Sequence, residues 1–305
     1  VNHVDIVTLN AERSLDSMHI ITSAIEHKAT LDTVAWLEKQ GVSVTYLTPD
    51  SDGLIQPQQV ADSLTENTVL VSLMAVNNEL GTITDIAAVA VLLEGHQAIL
   101  HVDAAQAVGK MAVDVNSWGA DLVSVSAHKM YGPKGIGALY VRRQPLIQLA
   151  AQIHGGGHER GMRSGTLPTH QIAGFGAAAA QVSELLEQDE PRIRALRNRL
   201  ETALLDLGDV YRNGHAEQRA ANHMNLSFGG VDGETLLASL AQIAVSSGSA
   251  CTSASVEPSY VLKAIGRSDE LAHAGLRFSL GRYTTEEDVD FTIEQVSRIV
   301  KALRS

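Results

Sequence analysis

Three kinds of side chain in this 305-residue sequence could carry covalent or proton-transfer chemistry: an acid with an amide nearby, a lysine after an apolar run, and one thiol. Asp103 ends an apolar run and Gln106 follows three positions later, so both could reach one crevice from a single turn. A carboxylate after a strand is more often a helix cap. Lys129, in Ser126-Ala127-His128-Lys129, closes another apolar run. A lysine held at the edge of an apolar sheet can be desolvated, lose its proton more readily and attack a carbonyl as an amine. A carboxylate nearby could in turn hold a pyridine nitrogen protonated. Cys251 is the single cysteine, which removes intrachain disulfides and multi-cysteine metal sites and leaves a packed small hydrophobe or a reactive thiol. His154 and His158 flank three glycines without a clear third ligand, so no metal is expected there. Gly155, Gly156 and Gly157 read instead as a backbone turn at a subunit boundary.

The elements that must position these groups alternate. Val44 to Leu47, Val69 to Leu73, Ile99 to Val102, Leu122 to Ser126 and Ala138 to Val141 are short apolar runs, most of them rich in Val, Ile and Leu, with helical patterns at Leu31 to Gln40 and Ile86 to Glu94. This alternation predicts an α/β fold whose mainly parallel sheet lies between helices. Such sheets bind ligands beyond the carboxyl ends of their strands, where Asn77-Asn78-Glu79, Asp103 to Gln106 and His128-Lys129 fall. The character changes after the acidic segment Glu187-Gln188-Asp189-Glu190-Pro191. Helical spacing follows at Leu196, Leu200, Ala203, Leu204 and Leu207, then a strand at Met224 to Phe228. A last helix opens on Thr285-x-x-Asp288, a start resembling a capping box. Two domains are expected: residues 1–186, large and holding the strand-end groups, and residues 187–305, a smaller α+β domain carrying the cysteine loop. Trp36 and Trp118 read as packing residues.

Composition sets outer bounds. Hydrophobic residues make up 45% and charged residues 19%, ordinary globular values. The formal charge of -12 disfavours nucleic acid and anionic membranes as partners. No apolar stretch reaches the roughly 18 to 20 residues of a membrane-spanning helix. The first residues lack a signal-peptide layout, so a soluble, cytoplasmic protein is expected.

Four segments, in order, carry a resemblance: His101-Val102-Asp103-Ala104-Ala105-Gln106; Ser126 through Gly135; Gly155 through Thr166; and Ser246-Ser247-Gly248-Ser249-Ala250-Cys251-Thr252-Ser253. Together they resemble the cysteine desulfurases of the IscS/NifS type, pyridoxal 5'-phosphate (PLP) enzymes of the aspartate-aminotransferase fold (type I). The likeness runs from about His19 to the C-terminus. It implies that Lys129 links covalently to PLP, that Asp103 pairs with the pyridine nitrogen and that Gln106 bonds the ring hydroxyl. His27 would stack on the ring and assist proton transfer, while Ser126 and His128 resemble the phosphate ligands. Thr166 resembles a phosphate ligand lent by the other subunit, so a homodimer is implied. Asn78 and Arg277 would hold the substrate carboxylate, Asn78 also lying at the cofactor; a guanidinium suits that task because it donates two parallel hydrogen bonds. In this light the serines, glycine and alanine before Cys251 are too small to pack it rigidly, and a mobile thiol is expected. At an ordinary pKa of about 8.5, that thiol needs nearby positive charge or a transient base to ionise.

The implied activity converts L-cysteine to L-alanine and leaves the sulfur as a persulfide on Cys251. Iron-sulfur scaffold proteins and other sulfur acceptors are the implied partners, for iron-sulfur cluster assembly and tRNA thiolation. Two departures qualify this. The family's Gly-Ala-Thr turn, which cradles the PLP phosphate at a helix N-terminus, has no counterpart here, and the family's scaffold-docking tail ends early at Ser305. Weaker phosphate affinity is therefore expected. The alternative reading is a catalytically weak desulfurase-like chain that serves as a dimerisation or binding partner. An ordinary aminotransferase is a third reading, and the serine-rich cysteine loop disfavours it.

Overall fold

The computed structural model describes residues 14–143, 147, 149–247 and 257–305. By their contacts these residues divide into two compact units. One comprises residues up to Leu47, Ile55–Ala75 and Thr84–Glu184; the other comprises Thr48–Leu54, Val76–Ile83 and Leu185–Ser305.

The first unit is built on strands β1 (His19–Ser23), β2 (Ser43–Leu47), β3 (Thr68–Met74), β4 (Ile99–Asp103), β5 (Leu122–Ser126) and β6 (Gly137–Val141). They form one sheet in the order β2-β1-β3-β4-β5-β6. All neighbours are parallel except β5 and β6. Helices α1 (Lys28–Glu38), α2 (Pro57–Ser63) and α3 (Ile86–Leu92) supply crossovers. Every residue of β1 and β3 is buried, as strands covered on both faces must be. Met18, Ile20, Val34, Leu37, Val42, Val69, Leu70 and Leu122 pack into one cluster that joins α1 to the sheet. The chain order reverses between β1 and β3, and sheets of this kind bind ligands at the carboxyl ends of the strands beside such a reversal.

One polar row crosses this sheet. On β4, His101 Nδ1 lies 2.8 Å from Ser72 Oγ on β3, and its Nε2 lies 2.9 Å from Ser124 Oγ on β5. His101 thus spans three strands, two residues before Asp103 and on the same face. Burial pushes its pKa down to about 4, so the ring is neutral at pH 7.

The second unit carries an antiparallel sheet in the order β7 (Val210–Arg212), β8 (His223–Phe228), β10 (Gly275–Ser279), β9 (Ser246–Ser247). Helices α5 (Gly233–Ser239), α6 (Tyr260–Ala264), α7 (Asp269–His273) and α8 (Glu286–Leu303) accompany it. The expected start of α8 is a true capping box: Thr285 Oγ1 accepts from the Asp288 N–H at 3.1 Å, and Asp288 accepts from the Thr285 N–H at 2.9 Å. Val289, Val296 and Val300 are buried, as their spacing predicts. Glu201 forms a buried pair with Arg219 and a second with Arg212, tying the helix that bears it to the β7–β8 region.

The acidic segment at Glu187 to Pro191 lies inside helix α4 (Thr169–Leu205), which accommodates Pro191, and the two units divide just before it, between Glu184 and Leu185. Proline removes one N–H and clashes with the preceding turn, yet 37 helical residues outweigh one missing bond. Strand β1, in which only Ile20 and Ile21 are apolar, had no place among the expected strands. Trp36 is 55% exposed, whereas Trp118 is buried. No described helix is long and apolar enough to cross a membrane.

The neutral His101 has a measurable consequence. A group whose folded pKa is depressed from 6.5 to about 4 favours the fold above its unfolded pKa and loses that contribution as pH falls. Urea unfolding should therefore show a loss of about 2 kcal/mol between pH 7 and pH 5 from this residue. The pH slope should be shallower by that amount in His101→Asn, and an unchanged slope would refute the assignment.

Candidate active site

In the first unit the expected residues gather at the carboxyl ends of β1, β4 and β5. His27 is the N-cap of α1, just after β1. Its Nδ1 accepts the Ala29 N–H at 3.2 Å, so the neutral ring carries its proton on Nε2. Asp103 is the last residue of β4 and is 4% exposed; its Oδ1 accepts the Ala105 N–H at 2.9 Å. Burial pushes the Asp103 carboxyl up, while that N–H and the charges of His27 and Lys129 pull it down. Gln106 is buried in the turn beyond.

Lys129 sits in a 3-10 turn, Ala127–Met130, directly after β5. The turn is closed by Tyr131 at a positive φ of 67°, an uncommon conformation for a residue with a Cβ and one that persists only where neighbours hold it. Gly132 completes the lock: its N–H donates to the Ala127 carbonyl at 2.9 Å, and a Cβ there would meet that oxygen at 2.9 Å. Lys129 is exposed and Met130 beneath it is buried. At the same turn Ser126 Oγ lies 2.9 Å from His128 Nδ1. His128 is held below its ordinary value, by desolvation first and then by Lys129 and Lys134. Thr166 is exposed on the segment before α4. That segment follows Gly155, Gly156 and Gly157, whose φ values of 112°, 79° and 67° require glycine.

The second unit holds the other expected pair. Arg277 Nη1 donates to the Asn78 carbonyl at 2.8 Å. Among the described residues, Arg277 Nε, Asn78 Oδ1 and Ser246 Oγ are buried atoms without a hydrogen-bond partner, and Ser246 lies opposite Arg277 across β9 and β10. Buried polar atoms left unpaired are costly, so the cluster suits a polar ligand. An α-carboxylate would accept from Arg277 Nε and Ser246 Oγ. The Asn78 amide can offer either end after a flip.

Glu79, next to Asn78 in sequence, is 1% exposed and feels the charge of Arg277. Ser259 donates to its Oε2 at 2.5 Å, and its backbone carbonyl accepts from Asn225 at 3.3 Å. Burial lifts the carboxyl to about 7, against the pull of Ser259 and Arg277. The sequence marked Asn77-Asn78-Glu79 as a strand-end group, but the Ser259 contact, 180 positions away, has no local signal. Cys251 lies outside the described residues, as does everything from 248 to 256. Among the described residues no group of three or more His, Cys, Asp or Glu could hold a metal ion.

Glu79 makes a signed prediction. A carboxyl raised from 4.5 to about 7 contributes fully to stability below its unfolded pKa and loses that contribution as pH rises through 7. Wild-type unfolding free energy should fall by about 2–3 kcal/mol from this residue between pH 5 and pH 8. Glu79→Gln should lack that fall, as chemical denaturation at the two pH values would show.

Comparison with known proteins accords with this geometry. A model of the family described as Aminotransferase class-V matches residues 3–291. The sequence is 57% identical over 286 residues to a Cysteine desulfurase IscS of Psychromonas ingrahamii, covering 94% of this chain and 71% of that one. The same figures hold for a Cysteine desulfurase IscS of Pseudomonas entomophila. Among solved structures, a NifS-like protein aligns with a TM-score of 0.86 at 35% identity, covering 94% of this chain and 76% of its own. SspA in complex with cysteine aligns with a TM-score of 0.77 at 38% identity, over 92% of this chain and 78% of its own. The chain therefore belongs to the class-V aminotransferase family, among the PLP-dependent cysteine desulfurases of the IscS/NifS type.

Proposed function

We propose that this protein is a PLP-dependent cysteine desulfurase that converts L-cysteine to L-alanine and retains the sulfur on Cys251. The observation that carries the proposal is the buried Asp103 carboxyl at a strand end, with Lys129 and His27 close enough to act on its charge. A desolvated carboxylate favours a cation opposite it, and a protonated pyridine nitrogen is such a cation. The donor set therefore fits PLP: Asp103 for the ring nitrogen, Gln106 for the ring hydroxyl, Ser126 and His128 for the phosphate, and Lys129 for the aldehyde carbon. When bound, PLP supplies an electron sink for the bonds around the substrate Cα.

The chain's own groups divide the remaining work. Asp103 holds a proton at the ring nitrogen. Arg277, with Ser246 and Asn78, holds the substrate carboxylate and so orients the amino acid. Lys129 Nζ would hold the cofactor's aldehyde carbon and serve as the base for the substrate Cα proton, with His27 Nε2 as a second proton carrier. The Cys251 thiolate then attacks the substrate sulfur and breaks its bond to Cβ; protons return to carbon to give alanine. The overall change is L-cysteine plus the Cys251 thiol giving alanine plus the Cys251 persulfide, with no outside oxidant.

A homodimer belongs to the same proposal. Ile153 is 51% exposed and Ile172, near the start of α4, is 39% exposed, and the exposed Thr166 lies between them. Apolar exposure of this kind suits a partner copy, to whose phosphate site Thr166 would be lent. Iron-sulfur scaffold and other acceptor proteins, serving cluster assembly and tRNA thiolation, complete the reading and rest on the resemblance alone.

Intact-mass measurement of the PLP-loaded protein before and after L-cysteine tests the proposal: one sulfur atom should be gained, map to Cys251, and accompany alanine release. Lys129→Ala should lose the covalently held PLP and both products. Turnover that needs a keto acid and survives Cys251→Ser would point to an aminotransferase instead, and a chain that takes up no PLP would leave only a binding role. Replacing Arg277 by Gln removes charge-assisted bonds worth about 1.5–3 kcal/mol, so KM for L-cysteine should rise on the order of 10- to 150-fold while PLP content holds.

A further inference from the structure

The turn after β4 and the turn after β5 are packed against each other. Gly109, at φ +81°, marks a close approach: a Cβ there would crowd its neighbours, 3.3 Å from Met130 Cβ and 3.3 Å from Val182. That close approach brings the next residue, Lys110, to the turn that carries Lys129. Half-buried, Lys110 donates from Nζ to the backbone carbonyl of Lys129. It is the residue immediately beyond Lys129, toward Met130 and Tyr131, that is held in place by this contact, because the Lys129 carbonyl belongs to the same peptide plane as the Met130 N–H.

We propose that Lys110 is a positioning residue for Lys129: its ammonium pins the Lys129 carbonyl and sets a second positive charge near the Lys129 side chain, so that the Lys129 nitrogen gives up its proton more readily. The proposal rests on the reading of Lys129 as the lysine that links to PLP. A like charge nearby disfavours the protonated form of both partners, and the coupling is visible on Lys110, which burial first and the charge of Lys129 second bring down to about 8. Among the described residues, Asp103 at the end of β4 and His128 on the same turn also feel the charge of Lys129; His27 acts on Asp103, and Lys134 acts on His128. Asp103 opposes Lys110 by favouring a proton on Lys129, while His128 acts in the same sense as Lys110 when charged. Lys110 differs from these in contacting both the backbone and the field of Lys129.

The PLP-loaded protein tests this through the absorbance of the Lys129–PLP linkage, followed against pH without substrate. Borohydride reduction and peptide mapping first place the pyridoxyl label. Lys110→Gln keeps a donor for the carbonyl and removes the charge, so the midpoint at which the linkage loses its proton should rise by about one pH unit. Lys110→Arg keeps donor and charge and should restore the wild-type midpoint to within a few tenths of a unit. A Lys110→Gln midpoint equal to wild type, with the label still on Lys129, overturns the proposal. A wild-type label found elsewhere overturns the reading of Lys129 itself, and the proposal falls with it for that separate reason.

Discussion

A carboxylate carried out of water at the end of a parallel strand is the constraint around which the first unit is arranged. Asp103 is almost wholly covered, and a charge in that position is tolerated only where dipoles and cations face it. The Ala105 N–H, His27 and Lys129 each supply part of this compensation. Each is delivered by the terminus of a different strand of one sheet. The parallel order of β1, β3, β4 and β5 is what puts those termini on one edge. His101, two residues earlier, links β3, β4 and β5 through its two ring nitrogens, so the strand that bears the carboxylate is braced from both sides.

Rigid backbone at the lysine follows the same logic. A flexible side chain needs a fixed origin if its amine is to meet a reacting carbon, and geometry held within a few tenths of an ångström is worth several powers of ten in rate. The turn at Ala127–Met130 obtains that origin from a short helical bond pattern, the left-handed Tyr131, a glycine where a Cβ would strike the Ala127 carbonyl, and the neighbouring turn at Gly109. In the second unit, the buried Glu79 joins the strand-end turn at Asn77 to the start of α6 through Ser259, beside the arginine that the reading assigns to the substrate carboxylate. Both units thus place an ionisable group in a dry setting and surround it with a small number of fixed donors.

Much of this was legible beforehand. The apolar runs at Val69, Ile99 and Leu122 announced strands because short clusters of Val, Ile and Leu suit a sheet covered on both faces, and Thr285-x-x-Asp288 announced a helix start because the two side chains satisfy each other's backbone donors. The residues Asp103, Gln106, Ser126, His128 and Lys129 were recognisable from motif and from their place just past the strands. Other features gave no such signal. Strand β1 has only Ile20 and Ile21 as apolar residues and does not stand out, α4 continues through Pro191, and the segments Thr48–Leu54 and Val76–Ile83 leave the first unit for the second.

The division has a physical cause. Side-chain identity, spacing along a strand and the chemistry of a lysine, an aspartate and a lone thiol are local properties, and a sequence carries them in full; they determined the fold class and the family to which the chain belongs. Which groups desolvate one another is a property of contacts between segments far apart in the chain. That Glu79 meets Ser259, that Arg277 Nε and Ser246 Oγ lack partners, and that Lys110 reaches the Lys129 carbonyl were decided only when tertiary packing removed water from them, because burial is set by neighbours in space rather than by neighbours in sequence.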